Sequence, residues 1–411
     1  MAAGLKQARH PRWLSTEKLL FYGNDGSQSG WWIAPLSAKP EMVRDSGGLS
    51  GDPGAVVGDS IVFSAWSGNL SSLRLHSGAV IGQQLPMTNA AWNHTAPSAS
   101  SAGDIAFAAL SDVANIWSLP VRTNDLKVTG EPRRLTTQTT REISPTVSPN
   151  GKRIAFIRNG NRASSSGLLV TKDLITGKET TVFGGGSYPS FSMDSKILIY
   201  GHAGSLTIEM LPDSGVGEKV CDECGLAPVL SPDGRSILYD WGNPRYIGLF
   251  DIASKTGKKW LTPSKYGVYQ AGFSRDGEWI TFVAATAPER TRLAIARFRR
   301  DAPPDEREWI YLTGGATLDT RPRWSPDSNA IYFMSDRDGS RCIYTQKLDA
   351  VSKRPEGPIM PIFHSHTSRL SILNVGATGL LGLGVAEEKI VFNMGDVTGN
   401  IWLGKRAAPK T

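Results

Sequence analysis

The sequence predicts an all-β chain, a β-propeller of four-stranded antiparallel blades, on three observations. A ten-residue phrase recurs: "SPNGKRIAFI" from Ser148, "SPDGRSILYD" from Ser231 and "SPDSNAIYFM" from Ser325. An aromatic recurs late in each short apolar run, at Phe21, Phe63, Phe107, Phe156, Tyr200, Tyr239, Phe282, Phe333 and Phe392. Most of these intervals are about 40 to 50 residues, the length of a four-stranded blade. Helical periodicity is scarce, whereas glycine (44) and proline (25) are plentiful in 411 residues, the composition of short strands and many turns. Nine copies are counted, with eight blades plus a degenerate copy as the alternative. The copies fill the chain, so one domain is expected over 1–411.

Each element of a copy has a mechanical reason. In Ser-Pro-Asp-Gly, proline presets φ, aspartate bonds its own backbone and glycine accepts positive φ. The apolar run that follows, Ile-Leu-Tyr or Ile-Ala-Phe, reads as a buried strand. The motif therefore joins an inner strand a to a strand b. A polar turn such as "SDRDGS" (Ser335 to Ser340) leads to strand c: "ANIWSLPV" from Ala114, "YIGLFDIA" from Tyr246, "GNIWLGK" from Gly399. Strand d often ends in Leu-Thr, as at Leu135, Leu261 and Leu312. About ten residues later the next copy opens, often with Pro-x-x-Ser. One such sheet exposes both faces, so blades must pack on one another.

Composition sets bounds. The charge of +7 is scattered among 38 acidic residues, and the densest basic stretch, "RLAIARFRRDAPPDEREW", carries its own acids. No nucleic-acid partner is expected. No run approaches the ~20 apolar residues of a spanning helix, and "MAAGLKQARH" lacks the apolar centre of a signal peptide. A monomeric propeller is expected.

The chemistry of enzymes is sparse. Gly-x-Ser-x-Gly is absent, as are the kinase signatures His-Arg-Asp and Asp-Phe-Gly. Cys221 and Cys224 form Cys-Asp-Glu-Cys. A local disulfide or two thiols is favoured over half a zinc site or a redox pair, because zinc needs four ligands and the one other cysteine is Cys342. His364-Ser-His366 places two imidazoles at alternate positions, a metal-capable spacing, but a polar loop is the plainer reading. Asp336-Arg-Asp338-Gly339 reads as a hairpin turn without an ion. No metal and no cofactor are expected. Trp13, Trp117, Trp279, Trp324 and Trp402 fall where neighbouring blades should pack; Trp66 and Trp92 fall in loops.

In a propeller the inner strands line a channel. Residues just before them ring its mouth: Trp92, His94, Arg141, Tyr188, Tyr266, Tyr269, Arg321, His364, His366 and Arg369. Aromatics and arginines are the usual anchors of recognition. The expected function is non-catalytic recognition of a protein, peptide or glycan. The alternative is a propeller enzyme of the lyase or lactone-hydrolase type at the channel. With six histidines in the chain, acid–base groups for it are few.

Pro-x-x-Ser-Pro-Asp-Gly, the following apolar strand, then Ile-Trp or Ile-Tyr and Leu-Thr, resembles the TolB-type propeller repeat. "EEKIVFNMGDVTGNIWL" (Glu387 to Leu403) and "VCDECGLAPVLSPDG" (Val220 to Gly234) are most similar to the sensor-like propellers of bacterial serine/threonine kinases and winged-helix regulators. The resemblance implies a sensor or interaction module of a larger bacterial protein, on the extracytoplasmic (periplasmic) side. Such a piece would also explain why neither end offers an obvious strand to close a ring: the first inner strand starts near Pro11, and after "NIWL" only "GKRAAPKT" remains.

Overall fold

The structure, a computed structural model, describes residues 5, 7–43, 53–65, 68–89, 93–159, 167–202, 207–212, 217–222, 224–262, 267–287 and 289–405. Its regular structure is nearly all β, with three short 3-10 turns among the described residues. Among the described residues, five of the nine copies are separate four-stranded sheets, and the other four share one continuous fourteen-stranded sheet. Their anchoring aromatics each sit on the second strand, and all but the half-buried Phe107 are buried.

Contacts group the residues into two compact units, 113–396 and 1–112 with 397–411; the expected single domain, 1–411, spans both. The larger unit holds six blades. Its inner strands are Leu383–Ala386, Arg141–Val147, the end of Glu179–Phe191, Leu226–Leu230, Val268–Phe273 and Thr320–Trp324. Each packs on the next, and the last packs on the first, so the ring closes. The smaller unit holds two four-stranded sheets, Gln7–Met42 and Pro53–Pro86, and a third with three described strands.

Closure comes from an exchange that the sequence reading missed. Residues 105–122 were expected to turn between strands b and c, and so were residues 389–404. Both are single continuous strands, Ile105–Arg122 and Lys389–Gly404. Gly395 and Gly399 do not take the positive φ of a turn. They are small because backbone passes close by: a Cβ would lie 2.6 Å from the Asn374 carbonyl and 2.5 Å from the Ala109 oxygen respectively. Between them, β-branched Val397 and Thr398 favour extension. The "ANIWSLPV" strand therefore completes the blade of Leu383–Ala386 and residues 389–396. Val121 and Thr123 donate to the carbonyls of Glu388 and Glu387, and the Thr123 hydroxyl donates to the Ala386 carbonyl at 2.8 Å. The "NIWLG" strand instead lies against Ala109 and Leu110 in the third sheet of the smaller unit. The C-terminal strands thus supply the closure that neither end seemed to offer.

The repeated phrase is a hydroxyl-centred corner. Ser148, Ser192, Ser231, Ser274 and Ser325 each donate to the Asn or Asp two residues on. Each also accepts the backbone N–H five residues on, at 2.9 Å. Gly151, Gly234 and Gly277 have φ near +70°. Where glycine is missing, Ser195 and Ser328 hold the left-handed turn and accept from the adjacent corner, at Asn150 N and Arg275 N. At Gly234 an added Cβ meets nothing within 4 Å, so strain alone is at stake. Gly234→Ala should cost about 1 kcal/mol in chemical denaturation; an unchanged midpoint would refute the turn assignment.

Tryptophan burial follows the repeat positions only in part. Trp279 and Trp324 are buried between blades as expected, and Trp117 is half-buried. Trp13 and Trp402 are instead 57% and 54% exposed. They lie on strands of the smaller unit, where among the described residues no sheet covers those faces.

Candidate functional site at the channel mouth

Every full-length inner strand of the larger unit carries a β-bulge near its start, with one residue in left-handed conformation. These residues are Ser144, Tyr188, Ala227, Gln270 and Arg321, with φ between 49° and 57°. The strand registers shift at those points. Non-glycine residues there are strained, and bulges re-aim side chains. Four of the five stand directly before the proline of Pro-x-x-Ser; Gln270 precedes Ala271 in the same position. The inner-strand motif thus turns one residue per blade toward the mouth.

Four of these residues, Tyr188, Ala227, Gln270 and Arg321, meet Asp240, Arg245 and Tyr269 around a cavity of about 120 Å³. Arg321 is buried. Its Nη2 donates to the carbonyls of Thr378 and Gly379 at 3.0 and 3.2 Å, and its guanidinium lies 5.5 Å from the Tyr188 ring centre. Its Nε is buried and has no partner among the described residues. Gln270 bridges two blades: its Oε1 accepts from Arg321 N at 2.7 Å, and its N–H donates to the Asp240 carboxylate at 2.9 Å. Arg245 is exposed and stacks over Tyr269, 5.3 Å from its ring centre.

Burial sets the electrostatics here. It lifts the Asp240 carboxyl to about 7, against the opposing pull of Arg245, Gln270 N–H, Arg321 and Arg323. It lowers the Arg321 guanidinium, and it brings Arg323 down to about 10 with Arg321 adding repulsion. Further along the axis a second cavity of about 130 Å³ touches all six inner strands through Val147, Phe191, Leu230, Phe273, Trp324 and Val385. It is largely apolar.

Of the ten residues expected at the mouth, Tyr188, Tyr269 and Arg321 converge on this cavity. Arg141 is buried, does not line the cavity and donates to the Val375 carbonyl. His364 and His366 pair with Asp338 in the sixth blade. Arg369 is exposed and bonds Asp396 at 3.1 Å. His94 belongs to the smaller unit, where it is buried against Phe107 and bonded to Thr88. Trp92 and Tyr266 lie outside the described residues. The sequence reading missed Asp240, Arg245 and Gln270. A usable signal was the charged end of the apolar run "SILYD", since a carboxylate there must enter the blade.

Cys221 and Cys224 are joined in a disulfide, their Cα atoms 6.2 Å apart, and both are buried. Cys342 is buried and free. No helix among the described residues is long and apolar enough to cross a membrane.

No protein-family model matches the sequence, and no curated protein matches it. Solved structures do resemble it. A putative TolB from Agrobacterium tumefaciens is 17% identical with a TM-score of 0.49, covering 71% of this chain and 99% of that one. TolB from Acinetobacter baumannii is 14% identical with a TM-score of 0.46, covering 74% and 79%. A chain of a nidogen/laminin complex is 12% identical with a TM-score of 0.46, covering 62% and 94%. By its own strand pairing and closed ring of inner strands, with the repeated Ser-Pro-Asp-Gly corners, the larger unit has a β-propeller fold.

Proposed function

We propose that the larger unit is a non-catalytic recognition propeller that takes a protein or peptide segment at the mouth formed by Tyr188, Tyr269, Arg245 and Arg321. One observation carries this reading: Arg321 is buried with Nε unbonded among the described residues, beside a cavity walled by two tyrosines. A buried donor without a partner is costly, and an acceptor from a ligand would satisfy it. Arginine beside tyrosine is also the composition of binding hot spots. The segment recognised would present a carboxylate or a row of carbonyls. An extracytoplasmic location belongs to the same reading and is supported by the Cys221–Cys224 disulfide, since such bridges persist in oxidising compartments.

A second reading, a propeller enzyme at the channel, draws on Asp240, a buried carboxyl titrating near neutrality. It is weaker because Asp240 is the one carboxylate, and no histidine stands, among the described lining residues.

Arg245 is the fitting probe because it is exposed. Truncating Arg321 and Tyr269, by contrast, would remove buried contacts and lower stability as well. Peptides selected on the whole chain from a displayed random library should lose about tenfold or more in affinity for Arg245→Glu, with melting unchanged. Peptides that bind the variant equally well would place recognition elsewhere.

A further inference from the structure

We propose that Asp338, Cys342, His364 and His366 form a zinc-binding site in the sixth blade. The sequence shows two unremarkable pieces, a hairpin turn with Asp338 and a His-x-His pair, and the fold brings them together. Asp338 lies in the turn after the strand Ala330–Ser335, and Cys342 begins the next strand, Cys342–Lys347. His364 and His366 follow the outer strand Met360–Phe363. One ligand atom from each of the four falls within 4.8 Å of all the others.

The distances suit a cation. His364 Nδ1 and His366 Nε2 lie 3.0 and 2.8 Å from the same Asp338 oxygen, and 3.4 Å from each other. A tetrahedron with bonds of about 2.1 Å sets its ligand atoms roughly 3.4 Å apart. Two imidazoles and one carboxylate oxygen converging on a point bring lone pairs together, and a divalent ion at the centre satisfies all three. The fourth atom, a sulfur, makes an N2OS set, which favours zinc over calcium or magnesium.

The surroundings orient these ligands. The Tyr344 ring packs edge-on to His364, centroids 6.2 Å apart, and Ser365 N donates to Cys342 Sγ at 3.2 Å. Outer contacts of this kind fix metal ligands in place. Both imidazoles are about half exposed, which leaves a route for the ion. Binding forms a metal–sulfur bond and releases the thiol proton to solvent. From His366 the chain continues to the carbonyls of Val375, Gly376, Thr378 and Gly379, which hold Arg141, Arg341 and Arg321. An ion would anchor that segment at its start.

Cobalt(II) titrated into the metal-free whole chain tests the site by spectrum. The expected result is one equivalent bound, with visible bands of a tetrahedral ion and a near-ultraviolet thiolate charge-transfer band. Zinc should displace the cobalt and raise the melting temperature. Cys342→Ser should lose the charge-transfer band and keep weaker binding. His364→Ala with His366→Ala should weaken binding by about a hundredfold or more, and Cys221→Ser with Cys224→Ser should change nothing. The histidines are half exposed, so the double variant is expected to melt like the metal-free parent. Absent bands, or bands that survive loss of both histidines, would overturn the proposal.

Discussion

Asp240→Asn is expected to be more stable than the parent chain at about pH 8 and to match it only below about pH 4. Asp240 is buried at the mouth, and burial lifts its carboxyl from 3.8 to about 7 despite four favourable partners. The sign follows from proton counting. Between those two values the folded chain holds a proton that the unfolded chain has released. Stability from this group therefore falls as pH rises through the window, and the full cost is present above about 7. Three pKa units correspond to roughly 4 kcal/mol as an order of magnitude. The asparagine oxygen can still accept the Gln270 N–H that Asp240 accepts at 2.9 Å, so the substitution removes the charge and keeps the bond. Denaturation midpoints of both chains across this pH range test it. A parent whose stability holds level while the variant loses stability would mean that Arg245, Arg321 and Arg323 keep Asp240 ionised.

The repeat made the blades legible and left the site only partly so. Ser-Pro-Asp-Gly names its own turn chemistry, and the aromatic four or five positions beyond the corner marks the buried strand. Both are local properties, so sequence carries them. Arg321 and Tyr188 were also readable, because the residue before each Pro-x-x-Ser must lie where the inner strand begins. The meeting of Asp240 with Gln270 was not: they bond across two blades, and no local spacing records that. The Asp338–His364–His366 cluster was hidden for the same reason, since its parts lie 26 and 28 residues apart. The largest miss was the exchange of strands between copies three and nine. Each copy looked complete because the letters of its third strand followed its second. Whether a turn intervenes depended on glycines that serve close packing instead of positive φ.

That exchange predicts opposite outcomes for two aromatics on one strand. Phe392 and Trp402 both lie in Lys389–Gly404. Phe392 pairs with Leu383, is fully buried and sits 5.0 Å from the Phe363 ring, across the junction of the closing blade and the sixth. Phe392→Ala should cost about 3–5 kcal/mol, the sum of lost burial and the cavity left behind. Most small domains have about 5–15 kcal/mol in total, so the variant should fold yet denature at much lower urea. Trp402 is 54% exposed in the smaller unit, and Trp402→Ala should stay within about 0.5 kcal/mol of the parent. The sequence alone would rank the two alike, as the aromatics of strands b and c in one blade. Equal losses from both would mean that residues 400–403 close the ring beside residues 389–393, and the exchange assigned here would fall.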